Sequence, residues 1–368
     1  MSNTIPWTEA WYVNGDDAWA ITGKESHVLR IRKSEKSIEY VCTANNREKV
    51  YRMYSQIFVY NEKVYLLPDE SNYIEIYNTA YKTWKSICVI ENDDNNRRRI
   101  RSVSYWKIDK YLWFFSAALG RIYCLDLDDD KIITSNTIII TDNPKEVLWD
   151  YSIEKKGDEI FVLERTMGYM YKIYLSRGEV EKKKIEIDSD ILAAFSYDGV
   201  NFWITGQKCK LYVWNYSKGI IDIIDLPSRL LFETDLAEGS YWPNYIFCWC
   251  AEGNVWLVPA RTDGFLCINI QNKQIYEMNI EKDLLLDSSW TNSELMIRFK
   301  QNYTVEERYL GLYSFGTNLM IEIDAKSGEW KYLDMKLKNK LFLGNEKIIM
   351  EDKVVGLDLF IEKIIHRD

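Results

Sequence analysis

The chain is almost without histidine: His27 and His366 are the only two in 368 residues. A histidine-based catalytic triad, or a metal centre that needs several imidazole ligands, is excluded on that count. His27 falls beside an expected strand and His366 in the C-terminal tail, so both read as surface or edge residues. No apolar run is long enough to span a membrane as a helix. The N-terminal stretch MSNTIPWTEAWYVNGDD has no basic segment followed by an apolar core, so no secretory leader is expected. No G-x-x-x-x-G-K-[ST], G-x-G-x-x-G or H-E-x-x-H element occurs, which removes the common nucleotide and zincin signatures.

Basic charge is also scarce. With 47 Lys and Arg against 56 Asp and Glu, the net charge is -9, and such a chain makes a poor general ligand for nucleic acid or an anionic membrane. The seven cysteines are odd in number and scattered through strand-like segments, which points to reduced thiols and a cytoplasmic location. Cys248 and Cys250 form C-x-C, with both side chains on one face of a strand. With no second pair at ligand spacing they read as core, not as a metal site.

The acidic run Asp126 to Asp130 alternates like a calcium loop. However, Lys131 stands where an EF-hand needs glycine and Thr137 where it needs the bidentate glutamate. A solvated turn is the expectation, and no metal or cofactor is called for.

What the chain does have is a repeat. In Lys63 to Val89, KVYLLPDESNYIEIYNTAYKTWKSICV, short runs of Val, Ile, Tyr and Trp are separated by Pro, Asp and Asn, which is strand and turn chemistry. A strand, polar turn and second strand return at Leu29 to Val41, Ile74 to Ile87, Tyr123 to Thr134, Tyr171 to Ile185, Leu211 to Ile224, Leu266 to Met278 and Met320 to Leu333. An earlier turn precedes each of the first six, and strand starts recur at roughly 40 to 56 residues, the length of a four-stranded antiparallel unit.

Seven such units with no helical stripe predict an all-β fold, a β-propeller of seven four-stranded blades, with six or eight the neighbouring counts. One propeller domain over residues 1–368 is expected. Lys336 to Asp368 would then serve as a closing element beside the first blade. Leu226 to Asn244 and Glu281 to Ser293 interrupt the spacing and could each form a helical turn.

The copies at Val64 to Trp84 and Leu312 to Trp330 resemble the kelch pattern through Tyr77 with Trp84, and Ile323-Asp324 with Trp330. The usual double glycine is replaced by Leu67-Pro68, Thr22-Gly23, Thr205-Gly206 and Val258-Pro259. The chain thus resembles a degenerate kelch-like or quinoprotein-like propeller, and that resemblance transfers no functional residue.

In a four-stranded meander the loops between second and third strands share a face with the loops that link blades. That face collects Arg47, Arg52, Arg97, Arg98, Arg99, Arg101, Lys145, Trp149, Asp150, Glu164, Arg165, Arg229, Tyr241, Trp242, Arg261, Asp263 and Trp290. Arginine forks and aromatic planes suit a carboxylate, phosphate or sugar-like ligand.

The expected binding set is Arg52, Arg101, Trp149, Arg165, Trp242, Arg261 and Trp290. The leading expectation is a non-catalytic binding or scaffold module for a peptide, a protein partner or an anionic small ligand. A hydrolase or lyase acting on carbohydrate or peptide is the alternative, with Asp150 or Glu164 as acid-base and Arg101 or Arg165 stabilising charge. A glycan-binding module stacking on Trp149 and Trp242 is the third.

Overall fold

The middle of each repeat is apolar on both faces, so no unit can stay in water alone. A computed structural model shows how the chain resolves this: seven antiparallel four-stranded blades stand around a ring, with Lys336–Leu337 added to the first and Ile138–Ile139 to the third. It describes residues 8–22, 26–32, 34–35, 37–44, 53–90, 100–143, 145–146, 148–187, 190–206, 208–227, 244–259, 264–278, 299–305, 308–314, 319–333 and 336–337. No α-helix occurs among them. The seven hairpins read from the sequence are the third and fourth strands of the seven blades. The expected helical turns in Leu226 to Asn244 and Glu281 to Ser293 lie almost wholly outside the described residues.

Each blade runs from the hub outward in chain order. First strands lie against the first strands of neighbouring blades, and Phe299–Val305 of blade 7 meets Thr8–Asn14 of blade 1 to close the ring. Second strands carry the core. Lys63–Pro68, Tyr111–Ser116, Glu159–Glu164 and Asn254–Pro259 are buried at every residue but their first, and Phe202–Gly206 throughout. Fourth strands such as Thr83–Cys88 and Glu179–Lys184 form the exposed outer wall.

The apolar clusters lie between blades. Trp19, Ile21 and Val28 of blade 1 pack on Ile57, Val64 and Leu66 of blade 2. Phe161 and Leu163 of blade 4 pack on Phe202, Ile204 and Trp214 of blade 5. Trp256 and Val258 of blade 6 pack on Leu310, Leu312 and Ile321 of blade 7. At about 1.5–3 kcal/mol for each large side chain fully buried, these layers supply the main attraction between blades. Tyr77 faces Trp84 across its hairpin with ring centroids 4.8 Å apart, and both join the blade 1–2 layer.

Two sequence expectations are corrected. His27 is not at the surface: it is 4 % exposed, shares a 2.8 Å hydrogen bond between Nδ1 and Thr43 Oγ1, and donates its backbone N–H to Thr22 Oγ1. It closes the turn between the second and third strands of blade 1. Nor is the acidic run simply solvated. Asp126 accepts the N–H groups of Asp128 and Asp129 and pairs with Lys110 at 2.9 Å. Asp130 reaches blade 2, where it meets Lys63 at 2.8 Å and accepts the Tyr65 hydroxyl at 2.9 Å.

The same device recurs on this face. Asn78, Asn215 and Asn269 each end a third strand and accept the next turn's N–H groups. In blades 1 and 4 the duty passes to Asp16 and Asp158 of the first turn, which bind Ser34 and Ser176. Short turns are thereby fixed by their own side chains.

Asp130→Ala should lower the unfolding free energy by about 1–3 kcal/mol, because the buried Tyr65 hydroxyl loses its best acceptor. Asp142→Ala, at an exposed site, should change it by less than about 0.5 kcal/mol. Denaturant titration of both variants checks the difference.

Candidate functional site

The opposite face is built differently. On this side lie the turns between second and third strands, and the described residues that lead into the first strands are pinned to them by backbone hydrogen bonds. Asp69 N–H donates to Met53 O at 2.8 Å, and Asp69 O accepts Ile100 N–H and Arg101 N–H at 3.0 and 2.9 Å. Arg101 O in turn accepts Ala117 N–H, and Arg165 O accepts Leu192 N–H.

Arg101 is held by these bonds at φ 51, in the left-handed region. For a long side chain that conformation costs about 1 kcal/mol or more and persists only where the surroundings impose it. The surroundings also use a glycine: Gly120, at φ 60, has its Cβ position 2.6 Å from Thr141 O, so the crossing from blade 3 to blade 4 packs directly on it.

That crossing leads to the most irregular strand at the hub. In blades 1, 2, 3, 5 and 6 the first strand carries one extra residue near its start. In blade 4, Leu148 faces Glu164 and the next pair is Ile153 with Val162. Four residues, 149–152, therefore stand against Leu163 alone. A bulge of this kind bends the strand and re-aims its backbone. Trp149 and Asp150 are its first two residues.

Glu164 sits at the base of this bulge, with no exposed surface. Its carboxylate accepts the N–H and hydroxyl of Thr166 and the N–H of Met167, at 2.9, 2.5 and 2.6 Å. A buried carboxylate with three donors from its own turn is a structural cap. Arg165 follows it, 3 % exposed.

Glu146 clamps the crossing from outside. It accepts hydrogen bonds from Lys182 and Tyr171 of blade 4 and from Asn143. Burial alone would raise its pKa, but the bonds from Lys182, Tyr171, Thr141 and Asn143 outweigh it and hold the carboxyl at about 2. The contacts with Lys182 and Tyr171 carry no mark in the sequence, because those residues lie 36 and 25 positions further along the chain.

Near the opposite mouth of the hub, Glu154, Ser196 and Cys250 link the first strands of blades 4, 5 and 6. Tyr197 N–H donates to Glu154 Oε2 at 2.6 Å, Cys250 N–H donates to Ser196 Oγ at 3.0 Å, and Lys156 lies 3.4 Å from Glu154. Burial raises the carboxyl of Glu154, with Lys156 and the donated bonds opposing it. Burial also pushes the thiols of Cys248 and Cys250 well above their ordinary value, and thiols so protonated are poor nucleophiles and poor metal ligands.

Of the expected binding set, Arg101 and Arg165 are described on the loop face, half-buried and buried respectively. Trp149 and the acid-base candidate Asp150 lie in the innermost strand of blade 4. Arg52, Trp242, Arg261 and Trp290 lie outside the described residues, as do Arg47, Arg97, Arg98, Arg99, Arg229, Tyr241 and Asp263. Lys145 is exposed beside Glu146.

No family model matches the chain, and no curated protein matches it in sequence. Solved structures share its fold. A catalytically inactive histidine-to-alanine form of virginiamycin B lyase from Staphylococcus aureus, with quinupristin, is 14% identical, with a TM-score of 0.55, over 87% of this chain and 94% of that one. YCF48 bound to D1 peptide is 9% identical, with a TM-score of 0.55, over 85% of this chain and 91% of that one. A chain of the mitotic checkpoint complex is 9% identical, with a TM-score of 0.52, over 90% and 86%. At such identities the likeness concerns the seven-bladed β-propeller fold.

The Glu146 clamp has a definite pH signature. A carboxylate depressed to about 2 contributes stability above the unfolded glutamate value, and that contribution is lost as pH falls through the folded value. Wild type should exceed Glu146→Gln by about 1–2 kcal/mol at neutral pH, allowing for screening. The gap should close between pH 4.5 and 2. Urea titrations at stepped pH check it. For Glu154 the sign is reversed, since its carboxyl is raised: Glu154→Gln should be neutral or stabilising at pH 7, read as an unchanged or higher Tm.

Proposed function

We propose that the chain is a non-catalytic binding or scaffold propeller that takes a peptide, a protein partner or an anionic small ligand on its loop face. The observation that carries the reading is the four-residue bulge in the innermost strand of blade 4, which begins at Trp149 and Asp150. Functional backbone on a rigid scaffold is found where the ladder is broken. Arg101, strained and anchored by backbone bonds, supplies a cation on the same face. Arg52, Arg165, Trp242, Arg261 and Trp290 complete the proposed set.

Among the similar structures, one is described as bound to a peptide and another as part of a protein complex, which supports a recognition role. The lyase likeness supports an enzyme reading less well. That protein is inactivated by loss of a histidine, whereas His27 here is packed inside blade 1 and Glu164 is engaged by its turn. The enzyme alternative then rests on Asp150. The Tyr77–Trp84 pair is the packing that supports a kelch-like relationship, and seven thiols outside any disulfide support a reducing compartment.

A displayed library of acidic, neutral and basic peptides tests the reading. Wild type should enrich acidic sequences, and Arg101→Glu should bind them about tenfold or more weakly, with an unchanged circular dichroism spectrum. Failure of wild type to enrich acidic peptides, or equal binding by Arg101→Glu, would overturn it.

A further inference from the structure

Among the described residues the outermost strand of every blade but the first ends its sheet, and an edge with free backbone groups invites another strand. Lysine is a common guard against this. Lys85 guards blade 2, Lys131 blade 3, Lys182, Lys183 and Lys184 blade 4, and Lys331 blade 7. Two long outer strands have none. Ser37–Thr43 of blade 1 is already covered, since Lys336–Leu337 pairs in parallel with Ser37 and Ile38. Gly219–Asp225 of blade 5, with sequence GIIDIID, ends its sheet among the described residues.

Ile221 and Ile223 of that strand are 47% and 48% exposed, and Tyr276 of the next outer strand, Ile275–Met278, is 48% exposed. Its backbone is also poised. Leu226 N–H donates to Cys209 O, and bonded pairs alternate along an antiparallel ladder. Ile224 and Asp222 therefore bond inward to Leu211 and Val213, whereas Ile223 and Asp225 turn their N–H and C=O groups outward. Ile223 N–H takes the Asp222 carboxylate at 2.9 Å instead of a strand. An irregularity at Ile221 confines the regular edge to Asp222–Asp225.

We propose that this edge is a docking site for an extended segment of a partner protein in which two adjacent apolar residues are flanked on each side by lysine or arginine. The incoming strand bonds to the outward groups of Ile223 and Asp225, sets its two apolar residues beside Ile223 and Ile224, and pairs its flanking cations with Asp222 and Asp225, one on each face of the sheet. Charge decides against a second copy of this chain. Two such strands would bring four carboxylates together with no cation in either strand. The site is on the outer wall, away from the loop face, and is independent of the function proposed above.

The test titrates a labelled peptide built on lysine–valine–valine–lysine into the intact chain and follows anisotropy. Wild type should bind it saturably and should not bind a glutamate–valine counterpart. Ile223→Pro removes an N–H that the ladder does not use, and should weaken binding about tenfold while the fold persists, as proline is tolerated at such edge positions. Asp225→Asn should weaken it too, and Asp142→Asn, an exposed carboxylate elsewhere, should not. The proposal is overturned if wild type does not bind, if the glutamate peptide binds equally, or if Asp142→Asn weakens binding as much as Asp225→Asn. Should Ile223→Pro unfold, the Asp225→Asn comparison and the two peptides still decide.

Discussion

Everything in this molecule depends on the burial of each second strand on both of its faces. A strand such as Val64–Leu67 cannot offer one apolar side to a core and one polar side to water, because it has no polar side. It is satisfied only when a blade stands on either side. The blade 7 and blade 1 first strands close that requirement into a ring. The hub is thereby lined by strands that cannot move independently, and the loops crossing it inherit that rigidity.

The two faces of the disc then divide the work. On one, short turns are sealed by Asn78, Asn215 and Asn269 and by the bidentate pairs Arg30–Asp17 and Arg308–Asp324. On the other, long crossings are pinned by backbone bonds at Asp69, Arg101 and Arg165, and by the Glu146 clamp. Strain at Arg101 and the broken ladder at residues 149–152 occur on this second face, where neighbouring blades hold them in place. A recognition surface needs that combination of irregular backbone and fixed surroundings.

The architecture was legible because a repeat states its hairpins many times over. Alternation in Ile74–Tyr77, followed by a polar turn and Trp84, is enough to place two strands, and seven such signals fix seven blades. The spacing of Tyr77 and Trp84 was legible for the same reason, and their rings face each other across the hairpin. The bulge in blade 4 was not. It is a mismatch in count between Leu148–Ile153 and Val162–Glu164, and neither strand's own pattern contains the other's length. Partners far apart along the chain, such as Asp130 with Tyr65 or Glu146 with Lys182, were hidden likewise. His27 misled because a lone histidine near a turn carries no sequence mark of the Thr22 and Thr43 hydroxyls that hold it.

The central claim is that ligand recognition takes place where the blade 3–4 crossing meets the hub. Hydrogen exchange of the chain, with and without an acidic peptide selected by it, tests this most directly. The account predicts added protection at residues 100–101, 148–152 and 165–168 and none at the opposite turns 61–62 and 198–201. Protection confined to those opposite turns or to the outer strands would contradict it.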